Sequence, residues 1–309
     1  MTKFFSLLQD GLALGAVYAL VALGFVVIFR ATGVINFAQG GLVVFGAFLV
    51  YQMQTTWDVL GGGQTWPGFV LSALFAALCV GAVGAAFEAL VLRRMIGQPI
   101  FAVILITIGL FLLVEPITTT VWHNPPSGVE TPFGLKNITV GDVKILQVNI
   151  ATVLLGAIVM GGFFLLFQYT KVGVGMRATS VDQEAALAQG INVRRIFALS
   201  WAIAGVVAVV AGMMLAGGAG PAPSLSVGIA VIALRAFPAI ILGGLDSPGG
   251  AVLGGLIIGV AEVMAKGYIP DLVPALGAEF GDIVPYLIML VILLVRPFGL
   301  FGTHEVRRV

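Results

Sequence analysis

FFSLLQDGLALGAVYALVALGFVVIF, residues 4–29, holds one charged side chain, Asp10, before it ends at Arg30. A helix crosses the ~30 Å hydrocarbon core of a bilayer with about 20 apolar residues, so this stretch is long enough to span it. It exceeds the roughly 7–15-residue apolar region of a secretory signal, and no small-residue cleavage site precedes Arg30, so it is expected to remain as a membrane helix. The same ruler along the chain gives nine candidate spans at 7–29, 34–51, 67–92, 99–122, 150–170, 197–217, 228–245, 249–265 and 282–295.

The composition agrees. Of 309 residues 60% are hydrophobic and 9% charged, against about 25% charged in a soluble domain. The expected fold is an all-α integral membrane protein with about eight to nine transmembrane helices, some short or discontinuous. A formal net charge of +1 provides no field to attract nucleic acid. Cys79 is the single cysteine; it excludes an intrachain disulfide and reads as small buried filler. His123 and His304 stand far apart and in no ligand-spaced cluster, so no metal is expected.

Orientation follows from the basic residues, which are retained on the cytoplasmic side. With the N-terminus outside, the inner segments collect Arg30, Arg93, Arg94, Lys171, Arg177, Arg194, Arg195, Arg296, Arg307 and Arg308, ten of the 15 lysines and arginines. Lys3, Lys136, Lys144 and Lys266 fall outside, and Arg235 falls within a span. An external N-terminus and a cytoplasmic C-terminus result. The outer loop near 123–149 carries Pro125, Pro126, Pro132 and Gly134 and favours turns over regular helix. The inner loop near 171–196 contains an Ala- and Glu-rich run, residues 182–189, that reads as a short exposed helix.

The 42 glycines mark close helix approach. Gly250 and Gly254, then Gly255 and Gly259, make two overlapping G-x-x-x-G pairs, which predict tight packing within the chain in preference to a dimer seam.

The inner loop also carries EAALAQG, residues 184–190, which resembles the E-A-A-x-x-x-G signature of ABC-importer permeases. There the segment is a short helix that docks on an ATP-binding subunit, and its position here agrees with the independent charge argument. The resemblance assigns coupling to Glu184, Ala185, Ala186 and Gly190, with the small side chains as a docking surface and Gly190 as the helix stop. The downstream hydrophobic-Pro ending is missing, since Leu199 precedes Ser200.

GAVYALVALGFVVIFRATGVINFAQG (15–40), GINVRRIFALSWAIAG (190–205) and AFPAIILGGLDSPGGAVLGGLIIG (236–259) together resemble the permeases of branched-chain amino-acid ABC importers, specifically the first of two homologous permease subunits. The resemblance implies one permease domain over 1–309 in the bacterial inner membrane. It also implies a homologous permease partner, two ATP-binding subunits, a periplasmic or extracellular binding protein and a small-molecule substrate. No G-x-x-x-x-G-K-[ST] loop occurs, so ATP is expected to be used by the partner subunits, with no cofactor bound directly and no catalytic residues here. Urea and short-amide importers have similar permeases, which leaves the solute open. An ion-coupled secondary transporter would use Glu88, Glu115 and Glu262 as relays; the competing expectation pairs Glu88 with Arg93 or Arg94, and Glu262 with Lys266.

Four residues are expected along the substrate pathway. Arg235 lies mid-span, where an arginine costs about 2.5–3.5 kcal/mol on insertion, so it requires a polar partner: Glu115, Glu262 or a substrate carboxylate. The turns at 36–41 and 246–250 precede Gly-rich spans, where helix N-termini could meet a carboxylate while Asn36, Gln39 and Ser247 offer neutral hydrogen bonds. Asp246 is expected to cap the second of these helices; plain turn and cap chemistry accounts for the same residues.

Overall fold

A computed structural model describes residues 2–55, 58, 61–95, 98–123, 128–134, 136–140, 143–218, 225–226 and 228–302. Pro125, Pro126, His304, Arg307 and Arg308 lie outside these residues, as does the side chain of Glu115. The described chain forms α1 (Thr2–Thr32), α2 (Gln39–Thr55), α3 (Trp66–Leu90), α4 (Ile100–Trp122), a hairpin of β1 (Asn137–Val140) and β2 (Val143–Leu146), and α5 (Gln147–Tyr169). It continues with α6 (Lys171–Val181), α7 (Gln183–Ala188), α8 (Val193–Ala216), α9 (Ile229–Leu234), α10 (Phe237–Gly243), α11 (Pro248–Leu272) and α12 (Val284–Val295).

Among the described residues seven helices, counting 3-10 turns that extend two of them, are long and apolar enough to cross a bilayer. The fold is therefore that of a multi-pass helical membrane protein. Two of the nine expected spans take other forms. The second is α2, 17 residues long, which starts at Gln39 because residues 34–38 form the turn after α1. The seventh is broken into α9 and α10, with Arg235 and Ala236 in the turn between them. Pro238 sits in the first turn of α10, the place where its missing N–H costs a helix nothing.

α1 occupies the middle of the bundle. From Gly15 to Ile28 every residue is buried, which explains a sequence with no polar face: a helix apolar all round is one surrounded on all sides. α11 packs closely along it. A Cβ at Gly255 would run into the backbone of Ala19, and one at Gly259 into Gly15. Gly254 meets the Ala239 carbonyl of α10, and Gly250 meets Gly243. Both G-x-x-x-G pairs are thus spent inside this chain, as expected. By contrast α4 and α12 turn Leu112, Leu113, Leu290 and Leu294 outward.

Arg30, Arg93, Arg177 and Arg194 gather at one end. The guanidinium groups of Arg30 and Arg177 lie over the Phe167 ring, 5.0 and 5.3 Å from its centroid, and Arg93 donates to the Arg194 carbonyl at 3.4 Å. The opposite end is marked by the Lys3–Asp271 ion pair and by Gln9 Nε2 donating to the Lys144 carbonyl at 2.9 Å.

At that opposite end the loop expected to consist of turns contains regular structure. β1 and β2 pair antiparallel, Asn137 with Leu146 and Thr139 with Lys144. The β-branched Ile138, Thr139, Val140, Val143 and Ile145 around Gly141 and Asp142 are the hairpin signal that the prolines overshadowed. Gln54, at the end of α2, clamps the loop: its Oε1 accepts from the Glu130 N–H at 3.0 Å and its Nε2 donates to the Glu130 carbonyl at 3.1 Å.

Candidate functional site

The break between α9 and α10 delivers Arg235 into a cluster of opposite charges. Its Nη1 lies 2.8 Å from Asp282 Oδ1 and 3.3 Å from Glu262 Oε1, and its Nη2 donates to Asp282 Oδ2 at 3.0 Å. Lys266 Nζ reaches both carboxylates at 2.6 Å, and the Tyr18 hydroxyl donates to Glu262 Oε2 at 2.7 Å. Two cations and two carboxylates balance. Glu262 is fully buried, which a carboxylate tolerates only with partners like these. Of the expected partners for Arg235, Glu262 is present. Lys266 meets Glu262 as expected, since α11 continues past 265, whereas Asp282 and Tyr18 have no sequence signal that places them beside Arg235 and Glu262.

Glu88 resolves in the same way. It is buried at the end of α3, and Arg93 Nη2 donates to its Oε2 at 2.8 Å. Both described intramembrane glutamates therefore have the basic partners the sequence suggested.

The polar residues of the first helix-start turn are buried, whereas Asp246 and Ser247 in the second are half-exposed. Asn36 and Gln39 are 1% and 0% exposed. Asn36 Oδ1 accepts from the Ala38 N–H at 3.0 Å, an Asx turn that leads into α2, and Gln39 Nε2 donates to the Ala204 carbonyl of α8 at 3.2 Å. Gln39 fits against Gly24, where any side chain would collide with it. At the second turn the helix cap is Ser247 and not Asp246: the Ser247 hydroxyl accepts from the Gly250 N–H at 3.0 Å. Its helix starts directly after it at Pro248, so Asp246 is one residue too early to cap. Asn36 Nδ2 and Gln39 Oε1 face each other at 3.5 Å, while Arg235 is held by Glu262 and Asp282.

The inner-loop motif forms a helix with both ends defined. Asp182 Oδ1 accepts from the N–H groups of Glu184 and Ala185, each at 2.9 Å. At the other end Gly190 has φ +80°, its N–H bonds the Leu187 carbonyl at 2.9 Å, and the Ile191 N–H bonds the Ala186 carbonyl at 3.0 Å. This pair of bonds is a Schellman stop, which requires a left-handed residue at the glycine position. Every residue from Gln183 to Gly190 is exposed except Ala186, which is 4% exposed and packs inward. α6 is an additional helix ahead of α7, and Gly173 and Gly175 within it hide its helical pattern in the sequence.

Two cavities adjoin this framework. One of about 330 Å³ lies between α2, α4 and α9, and the described residues that line it are apolar or glycine, among them Gly41, Val44, Phe111 and Val231. The other, about 200 Å³, opens near the basic end and is lined by Asn36, Glu88, Arg93, Thr107, Gln183 and Trp201 among others.

A multi-pass bundle with a glycine-packed central helix, a neutralised intramembrane charge cluster and a capped loop helix at its basic end is the build of a transport permease. The family described as branched-chain amino acid transport system permease component matches residues 7–293, and the chain belongs to it. It is 27% identical to the high-affinity branched-chain amino acid transport system permease protein LivH of Salmonella typhimurium, covering 99% of this chain and 98% of that protein. It is 28% identical to the corresponding protein BraD of Pseudomonas aeruginosa, over 98% and 97% of the two chains. A more distant relative is the nucleoside ABC transporter permease protein NupC of Lactococcus lactis, 24% identical over 84% of this chain and 83% of that one.

Proposed function

We propose that this chain is one of two homologous permease subunits of an ATP-driven importer that carries branched-chain or similar small amino acids across the bacterial inner membrane. The observation that carries the reading is the family match over residues 7–293, which includes the whole of α6, α7 and the charge cluster. The N-terminus is outside and the basic end cytoplasmic, because ten basic residues then face inward. ATP is hydrolysed by two partner subunits, and a periplasmic or extracellular binding protein delivers the solute at the end marked by Lys3 and the hairpin.

α7 is the contact for the ATP-binding subunit. Glu184, Ala185 and Leu187 present an exposed edge, and α6 and α7 join α5 to α8 with few intervening residues. A push on α7 therefore reaches two membrane helices as a rigid-body movement. The apolar cavity at Gly41 and Val231 suits an aliphatic side chain and lies beside the broken α9–α10 segment. Half-helices at membrane depth are where transporters build their routes.

A second solute class is favoured by one observation, the nucleoside permease among the relatives. Co-expression with a partner permease, ATP-binding subunits and a binding protein, followed by reconstitution into liposomes, separates the readings. Vanadate-sensitive leucine uptake supports the amino-acid reading; vanadate-sensitive uptake of uridine but not leucine replaces it with the nucleoside one. Uptake driven by an ion gradient in the permease alone would reject both.

A further inference from the structure

The two cavities follow one another along the same elements. On α4 the basic-end cavity is lined by Ile100, Val103 and Thr107, and the apolar one by Phe111 and Val114, about one helical turn further on. Across the turn into α2 the order is the same, with Val34 and Asn36 on the first cavity and Gly41 and Val44 on the second. Phe37 stands at the divide. Its N–H donates to the Thr107 hydroxyl at 3.3 Å, and Asn36 Oδ1 reaches past it to the Ala38 N–H.

Phe237 meets Phe37 there. It opens α10 directly after the break at Arg235 and Ala236, while Val231 and Leu234 ahead of the break line the apolar cavity. The two rings stack, with centroids 5.3 Å apart and planes 17° from parallel. Phe25 of α1 makes a T-shaped contact with Phe237 at 5.0 Å and is 2% exposed, so it is a fixed wall behind the pair. Phe37 and Phe237 themselves are half-buried. One lies in a turn and the other is a first helical residue, the kind of position that absorbs backbone rotation in a moving protein. Phe25 precedes Arg30 by five residues, about 7.5 Å of helix, which sets the stack inside the hydrocarbon on the basic-end half.

We propose that the Phe37–Phe237 stack is the cytoplasmic gate of the solute route. Closed, it separates the apolar cavity from the basic-end one, and the rings part to let the solute through. An aromatic face attracts an ammonium and packs against aliphatic carbon, so the pair resists neither the ammonium nor the side chain of a passing amino acid. Gln183, the first residue of α7, lines the same cavity as Asn36, the neighbour of Phe37. Displacement of α7 by an ATP-binding subunit therefore acts on the turn that carries one of the rings. The proposal rests on the importer reading.

The test uses the complete importer in proteoliposomes with the ATPase face outward and leucine-loaded binding protein sealed inside, so that transport delivers leucine to the medium. Cys79→Ala removes the native thiol, and Leu234→Cys puts one in the apolar cavity. A membrane-impermeant methanethiosulfonate added to the medium reports, through the mass of this chain, whether that thiol is open to the cytoplasmic side. A shut gate leaves the open form a minor state of roughly 0.1–10%. Labelling without ATP is therefore expected to be slow, and Phe37→Ala or Phe237→Ala to speed it at least about tenfold. Gln183→Cys, on the cytoplasmic side of the gate, is expected to label fast with either ring present or removed. ATP-driven turnover should also speed labelling of Leu234→Cys with both rings in place. Should an alanine variant fail to fold, Phe37→Leu or Phe237→Leu replaces it, with the same expected direction. The gate is overturned if labelling is unchanged in both ring variants, if it is already fast without ATP when both rings are present, or if it stays at the resting rate while leucine is released. Ring-dependent labelling with no ATP-driven leucine release leaves the gate standing and rejects the amino-acid importer reading; absence of both rejects both.

Discussion

Arg235 grips Asp282 with two parallel hydrogen bonds, Nη1 to Oδ1 at 2.8 Å and Nη2 to Oδ2 at 3.0 Å. The bond pair ties the break between α9 and α10 to the start of α12, and Glu262 joins it to α11. A planar guanidinium makes this fork and a lysine ammonium does not.

Removing the guanidinium leaves Glu262 and Asp282 with the Lys266 ammonium, and Glu262 with the neutral Tyr18 hydroxyl besides. Arg235→Gln is expected to cost about 3 kcal/mol or more, the scale for breaking a buried pair, and to lower the thermal midpoint and yield of the solubilised protein. Arg235→Lys should fall between the two. Adding Asp282→Asn to Arg235→Gln should recover part of the loss, since it removes one stranded charge. A wild-type midpoint in Arg235→Gln would show that the cluster contributes no stability.

Glycines on α11 separate from those on the outer helices. Gly255→Ala drives a methyl into the Ala19 backbone and is expected to cost about 1–3 kcal/mol by overpacking. Gly109→Ala on α4 and Gly161→Ala on α5 meet nothing within 4 Å and should be neutral or slightly stabilising, as alanine favours helix. Thermal melts of the three variants in one detergent check the ranking.

The coupling motif divides by exposure. Ala185→Trp adds bulk to an exposed position and is expected to leave the fold intact while abolishing substrate-stimulated ATP hydrolysis and uptake together. Ala186→Trp strikes a buried position and should instead lower stability. Gly190→Val forces a β-branched residue to φ +80°, which undoes the helix stop. A well-folded Ala185→Trp with full uptake and a normally bound ATPase would refute the assignment of α7 as the contact.

The Ser247 hydroxyl is committed to the Gly250 N–H. Ser247→Ala is expected to cost about 1 kcal/mol, as for other lost caps, with leucine uptake retained once expression is normalised. A large loss of uptake at unchanged stability would restore Ser247 to the substrate pathway.

Apolar runs of bilayer length established the helices, because in lipid every backbone group must find its partner within its own segment, and that demand is local. The loop helix was legible for the same reason: Asp182 and Gly190 bracket EAALA with the chemistry of a cap and a stop. The hairpin at 137–146 was legible in principle, from β-branched residues around Gly141 and Asp142, but prolines nearby masked it. The stack of Phe37 on Phe237 gave no sequence signal, since two phenylalanines in separate apolar runs look the same whether or not their rings meet.

The sequence by itself determined the class of protein, the helical segments, the clustering of basic charge, and the use of α11's glycines for packing inside the chain. Each depends on residue type and spacing along one stretch. Only the tertiary structure decided that Arg235 sits at a helix break, that Asp282 and Tyr18 complete its cluster across 47 residues and through Glu262, and that Ala186 faces inward while Ala185 faces out. It also decided that Asn36 and Gln39 spend their amides on the protein itself. Hydrogen bonds and ion pairs of this kind join residues far apart in the chain. Which donor meets which acceptor is set by how the helices pack, and a one-dimensional pattern does not contain that information.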